Sequence, residues 1–367
     1  MPQQQNKICL IGTPWAEMES QFLTLGLTTL QARQTWDWVY RQGVLSFLSM
    51  TTLPLPVRHR LEAMYSLERL SVQQERVSND GTRKWLFSLP NEANQCDSLA
   101  SEMSIETVCI PEERRITACL SSQVGCALQC HFCRTGTMPL QQNLTTHALV
   151  AQVLHIKDVF QDWPQYRKTR RLTHIVFMGM GEPLLNYAAV REALTLLMDP
   201  HGLAFSRHRI TVSTSGIVPV LASLARDCRV PLALSLHAPS DVLRSQLMPI
   251  NEVYPLKDLM QAVRLYPRQS GTVRVTMEYV LLKGVNDRPA EARELRALLR
   301  GLPVKVNLLT FNPWAGAPFD PSSEEATLAF AQILAQGGID CFRRRARGQD
   351  ILAACGQLRA GTAQMTC

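Results

Sequence analysis

Gly125-Cys126-Ala127-Leu128-Gln129-Cys130-His131-Phe132-Cys133 sets three thiols at C-x3-C-x2-C spacing. On a tight loop, that spacing lets three sulfurs converge on one centre. The thiolate is the ligand form of cysteine, and thiolates select iron–sulfur clusters, zinc or cuprous copper. Four protein ligands close a metal site, whereas three leave one position open, as a catalytic centre requires. The competing reading is three buried cysteines acting as small apolar side chains.

Working outward, strand and helix patterns alternate. The strand candidates are Ile116–Leu120, His174–Met178, Arg209–Val212, Leu232–Leu236, Arg274–Leu281 and Lys305–Leu309. Helical patterns fall between them at Thr145–Phe160, Ala188–Met198, Val218–Ala225, Leu256–Tyr266 and Ala290–Leu299. This alternation predicts an α/β fold with a parallel sheet and right-handed crossovers. Six units rather than eight predict an incomplete (β/α)6 barrel. Sites in such folds gather at the C-terminal ends of the strands. The cysteine loop follows the first strand, and Gly179-Met180-Gly181-Glu182-Pro183 follows the second. Ser213 ends the third, Ser235, Leu236 and His237 cluster at the end of the fourth, and Asn312 follows the sixth. Each of these polar groups also fits an ordinary loop whose hydrogen bonds are satisfied locally.

Upstream, Ala32, Trp36, Val39 and Tyr40 share one helical face, with Arg33 and Arg41 off it. Thr51-Thr52-Leu53-Pro54 starts a second helix that continues from Val57 to Tyr65. Residues 1–70 therefore read as a small helical unit. Residues 71–111 read as a β-rich bridge: Asn79-Asp80-Gly81 is a hairpin turn, Lys84–Phe87 a strand, and Ile105–Ile110 a strand stopping at Pro111. Residues 112–345 form the barrel, and residues 346–367 a C-terminal segment.

The chain has 367 residues, is 46% hydrophobic and carries a net charge of +7, enough for a sizeable core and moderately basic. A polyanionic partner is compatible with that charge. Arg343-Arg344-Arg345-Ala346-Arg347, just before Cys355, and Arg167-Lys168-Thr169-Arg170-Arg171 are basic runs, read either as solvated faces or as phosphate contacts. No apolar run reaches a membrane span, and the N-terminus lacks a signal-peptide core. Eleven unevenly clustered cysteines fit a reducing cytoplasm better than a secreted disulfide framework.

The three-cysteine loop with an aromatic before its last cysteine resembles the radical S-adenosylmethionine (SAM) superfamily signature. Cys119-Leu-Ser-Ser-Gln-Val-Gly-Cys126, Gly179–Pro183, Ser235-Leu-His-Ala-Pro239 and Ala353-Ala-Cys355-Gly-Gln-Leu358 together resemble the RlmN/Cfr family, over about Leu27 to Leu358. The resemblance implies a radical SAM partial barrel with a helical, RNA-holding accessory domain. It implies a [4Fe–4S] cluster on Cys126, Cys130 and Cys133, and SAM contacts at Gly181, Glu182, Ser213, Ser235, Leu236, His237 and Asn312. Its expected substrates are 23S rRNA and tRNA, its electron donor is flavodoxin-like, and a monomer without membrane association is expected.

Adenine C2 lies between two ring nitrogens and is not nucleophilic, so polar methyl transfer to it fails and a radical route is needed. The resemblance implies two SAM molecules per methylation. One methylates Cys355. The second yields a radical that takes hydrogen from the S-methyl group, and the resulting methylene adds to the base. Glu106 then matches the general base, and Cys119 attacks the Cys355 sulfur, leaving a disulfide and freeing the RNA. By residue type alone, Cys119 and Cys355 also read as buried small residues and Glu106 as a strand-edge charge.

Two departures from the family pattern stand out. The family has a basic residue near Gln142 and a different loop over Thr137–Leu140, and Leu352 replaces a frequent Asp. Two other functions compete: a Cfr-like adenine-C8 methyltransferase, sharing every catalytic cysteine, and a non-catalytic zinc protein using the three cysteines with His131. The context around Val124–Ala127 favours C2.

Overall fold

The computed structural model describes residues 7–89, 103–113, 115–164, 170–267 and 275–360. The N-terminal unit holds β1 (Ile8–Cys9), α1 (Trp15–Thr24), α2 (Thr29–Asp37), α3 (Leu55–Met64) and β2 (Tyr65–Ser66), with β1 parallel to β2. A capping box starts α2: Thr28 Oγ1 accepts from Gln31 N at 3.2 Å, and Gln31 Oε1 accepts from Thr28 N at 2.8 Å. The predicted stripe of Ala32, Trp36, Val39 and Tyr40 is buried. Gly12, at φ +84°, lets this unit dock on the barrel, because a Cβ there would fall 2.5 Å from His147 N.

Strands β3 (Ser71–Val77), β4 (Arg83–Ser88) and β5 (Ser104–Glu112) pair antiparallel, and β5 pairs antiparallel with β6 (Arg115–Cys119). The bridge strands thus continue the barrel sheet through hydrogen bonds. Pro111 does not end β5, since it pairs with Ile116 near the turn, where a missing N–H costs little.

After β6 come the short strands β7 (Gln123–Val124) and β8 (Gln142–Asn143), then α4 (Thr146–Val159), β9 (Leu172–Phe177) and α5 (Tyr187–Met198). Next follow β10 (Ile210–Thr214), α6 (Val218–Asp227), β11 (Leu232–Ser235), α7 (Asp241–Leu247) and α8 (Leu256–Leu265). The chain continues as β12 (Val275–Leu281), α9 (Pro289–Leu298), β13 (Val304–Thr310), α10 (Glu324–Gln336) and β14 (Cys341–Arg344). The sheet order is β14-β13-β12-β11-β10-β9-β6-β5-β4-β3, parallel from β14 to β6.

All six expected barrel strands are present, and β14 adds a seventh parallel strand at the edge. Its Arg343 and Arg344 open the basic run that the sequence offers as a solvated face or a phosphate contact. Consecutive residues of a strand face opposite sides, so Arg343 points outward to Glu324 while Arg344 lies on the inner face, and an edge strand tolerates both.

Candidate active site

The β7–β8 pair closes the loop that carries the three motif cysteines, with Gln123 opposite Asn143. Gly125 at φ +78° makes the closure possible, since a Cβ there would fall 2.0 Å from Pro139 O. Cys126, Cys130 and Cys133 line one cavity at the C-terminal ends of the strands. Burial pushes the Cys126 thiol to about 12, the Cys130 thiol well up, and the Cys133 thiol up. A positively charged metal centre is what makes such buried thiols into thiolates. Among the described residues, no three His, Cys, Asp or Glu side chains gather closely enough to hold a single metal ion. In a cluster each thiolate takes a different iron, so the sulfurs stand wider apart than ligands of one ion. Three soft donors on one cavity wall fit an iron–sulfur cluster with one position left open.

The Gly179–Pro183 turn packs over the end of β6. Cβ atoms at Gly179 and Gly181 would fall 2.7 Å from Leu120 C and 2.5 Å from Gln123 Cβ. These glycines allow close packing of two protein segments, and both also line the cavity that holds the cysteines. Glu182 is buried, its Oε1 accepting from Leu184 N at 3.0 Å and its Oε2 from Ser215 N at 2.8 Å. Burial raises its pKa despite those donors. Gly181, Glu182, Ser213, Ser235, His237 and Asn312 all line the cavity with the cysteines. Burial, with the nearby Arg244 charge, lowers His237 to about 3, so its ring is neutral, with Nδ1 accepting from Val280 N at 3.0 Å. Leu236 is off the cavity wall and fully buried; its N–H goes to Glu278 O at 3.0 Å and its carbonyl accepts from Arg244 Nε at 3.2 Å.

Cys355 lies on the C-terminal segment, which is tied down along its length. Asn312 Nδ2 donates to Cys355 O at 3.2 Å, Arg134 N to Gly356 O at 2.7 Å, and Thr135 Oγ1 to Leu358 O at 2.6 Å. Farther back, Ser78 Oγ donates to Asp350 Oδ1 at 2.6 Å and Gly348 N to Asp80 Oδ2 at 3.0 Å, so the Asn79-Asp80-Gly81 hairpin turn also grips the segment. A second cavity of about 530 Å³ adjoins the first, and Cys119 lines it. Cys355, Arg344, Glu278 and Asn312 lie on the wall common to both. Cys355 thus adjoins both the cysteine trio and Cys119.

Glu106 lines neither cavity. It is buried, with Oε1 2.8 Å from Lys84 Nζ and Oε2 accepting from Arg359 N at 2.8 Å. The strand-edge surface reading of Glu106 is therefore wrong; β4 and the C-terminal segment cover it.

Sequence reasoning missed Lys84, Arg244, Glu278 and Arg344. Glu278 left one signal, a lone carboxylate in the apolar run Val275–Leu281. Arg344 was hidden inside a basic run. The others of that run divide: Arg343 pairs with Glu324, and Arg347 lies 4.0 Å from Asp80. Arg33 stacks on Trp15 at 3.7 Å, and Arg41 pairs with Asp37 at 3.2 Å. Arg167 and Lys168 lie outside the described residues.

The radical SAM superfamily model matches residues 120–295, and the ribosomal RNA large subunit methyltransferase N-terminal domain model matches residues 8–67. The dual-specificity RNA methyltransferase RlmN of Beijerinckia indica is 45% identical over 97% of this chain and 94% of its own. The chain belongs to the RlmN family. The RlmN of Rhodospirillum rubrum is 46% identical over 98% of this chain and 82% of its own. A crystal structure of a radical SAM methyltransferase from Sphaerobacter thermophilus superposes with a TM-score of 0.86 at 43% identity, covering 96% of this chain and 99% of that one. RlmN-family membership brings a radical SAM domain, and with it a [4Fe–4S] cluster and SAM as cofactors. No helix among the described residues is long and apolar enough to cross a membrane.

Proposed function

We propose that the chain methylates C2 of an adenosine in 23S rRNA and of an adenosine in tRNA, with Cys355 as the methyl carrier. The observation that carries this reading is the position of Cys355 on the wall between the cysteine-trio cavity and the Cys119 cavity. When bound, the cluster and two SAM molecules supply the methyl group and the hydrogen-abstracting chemistry. Cys126, Cys130 and Cys133 would hold the cluster, and Gly181, Glu182, Ser213, Ser235, His237 and Asn312 would line the SAM site, with Leu236 supporting that wall from behind.

Cys355 takes a methyl group on its sulfur and then becomes bonded through that carbon to the RNA base. Cys119 releases the product by attacking the Cys355 sulfur. Glu106 is the proton acceptor of this reading. Its carboxylate is occupied by Lys84 and by the Arg359 N–H, so the role requires the segment after Cys355 to lift. The second cavity supports an RNA reading: its volume suits a small-molecule-sized group, and Arg115, Lys305, Arg343 and Arg345 line it. The N-terminal unit would help hold the RNA. A flavodoxin-like electron donor, a monomeric state and a cytoplasmic location complete the proposal.

The experiment is to incubate reconstituted protein with 23S rRNA, tRNA, SAM and reductant, then map the modified base by mass spectrometry. 2-Methyladenosine is expected, and 8-methyladenosine or unmodified RNA would overturn the proposal.

A further inference from the structure

Arg344 is half-buried on the inner face of β14, on the wall common to both cavities. Its Nη1 donates to the thioether of Met178 at 3.7 Å, and among the described residues it forms no ion pair. A guanidinium stays charged in a protein, and a shielded cation without a carboxylate partner is costly unless an anion comes to it. The acidic groups that face it are Cys355, Glu278, Cys119 and Glu112. Glu278, from β12, is engaged by Asn307 Nδ2 at 2.8 Å, and Glu112 pairs with Arg115. Burial raises the Glu278 pKa against the Arg344 charge, so on the shared wall Arg344 faces a carboxyl shifted toward its neutral form and the two sulfurs.

We propose that Arg344 is a positioning residue whose guanidinium holds the thiolate of Cys119 for its attack on Cys355. The inference rests on the carrier role of Cys355 given above. In that step the Cys119 thiolate places an electron pair on Cys355 Sγ. An S–S bond forms, the bond from sulfur to the RNA-linked carbon breaks, and the pair left on carbon takes a proton from solvent. The two sulfurs are oxidised by two electrons and the carbon is reduced by two.

Burial pushes the Cys119 thiol to about 12, the neighbouring Cys355 adds to that, and the Arg344 charge opposes it. A thiol so placed needs a cation to become a nucleophile at neutral pH. Arg344 supplies one without delivering a proton.

The test reads alkylation of Cys119 by iodoacetamide between pH 6 and 10 in the reconstituted full chain, site by site, using peptide mass spectrometry. Arg344→Met is expected to slow reaction at Cys119 by about tenfold, the equivalent of one pKa unit. Arg344→Lys should restore most of the rate, and the buried Cys109 should not change. An unchanged Cys119 rate overturns the inference, including the case where RNA retention on filters falls instead and the guanidinium serves a phosphate. Should the methionine variant not fold, wild-type protein decides: anionic iodoacetate must gain on neutral iodoacetamide at Cys119 relative to Cys109, and equal ratios sink the idea. Trapping of a protein–RNA adduct by Cys119→Ala separates the two levels. An adduct with unaltered Cys119 reactivity in Arg344→Met removes this inference alone, whereas no adduct removes the carrier reading itself.

Discussion

Lys84 Nζ lies 2.8 Å from Glu106 Oε1 and also donates to Leu352 O at 2.9 Å, joining β4, β5 and the C-terminal segment at one buried ammonium. Burial lowers the Lys84 pKa, and the facing Glu106 charge works against that shift. Removing one partner leaves the other charged and unpaired, which is worse than removing both. Lys84→Met should destabilise the protein by about 3–5 kcal/mol. Lys84→Met with Glu106→Leu should recover part of that. Urea unfolding measures both, and equal stability of the single variant and wild type would show that the pair does not matter.

Leu352 sits at φ 54° and ψ 45°, a left-handed backbone that a leucine adopts at a cost of order 1 kcal/mol. Asn and Asp tolerate this conformation. Leu352→Asn should raise stability by about 0.5–1 kcal/mol and increase amide protection over Gly348–Ala353. A drop in stability would mean that the half-buried leucine side chain contributes more than the backbone strain removes.

Asp80 and Asp350 make the grip on the C-terminal segment sensitive to acid. Burial works to raise Asp80, but Thr82, Gly348 and Ser78 outweigh it and hold the carboxyl at about 2; the Ser78 hydroxyl and the Asn79 N–H lower Asp350. A carboxyl depressed in the folded state stabilises above its unfolded value of about 3.9, and that contribution is lost as pH falls through the folded value. Protection of the Gly348 and Ala353 amides, corrected for intrinsic exchange, should be flat from about pH 8 to 5 and fall between about 4 and 2. Asp80→Asn should weaken it at every pH. Protection that changes between pH 8 and 5 would point to another group.

Gly181 combines φ +93° with a Cβ position 2.5 Å from Gln123. Gly181→Ala should cost about 1–3 kcal/mol and displace Glu182. Isothermal titration should then show SAM affinity falling at least tenfold, while near-wild-type affinity would detach this turn from cofactor binding.

Much of the barrel could be read from sequence because alternation of β-branched runs with amphipathic stretches is a local signal. Strand β14 and α10 were not legible: the adjacent Arg343 and Arg344 of β14 mimic a solvated run, and little in α10 distinguishes a helix packed along one side. At the site, the cysteine trio and the Glu182 turn follow strands, so topology alone brings them to one mouth. The approach of Cys355 to that mouth depends on contacts spanning more than 200 residues, such as Thr135 with Leu358 and Ser78 with Asp350. No periodicity encodes these, and only the family resemblance suggested the approach. The Lys84–Glu106 pair was missed for the same reason, since charge pairing across a sheet leaves no spacing to detect.

The most direct test of the carrier role of Cys355 uses the Cys119→Ala variant, reconstituted with iron and sulfide and supplied with SAM, reductant and labelled RNA. On a denaturing gel, label should migrate with the protein, and digestion should locate it on the peptide containing Cys355. Free methylated RNA formed at the wild-type rate, with no label on that peptide, would contradict the account.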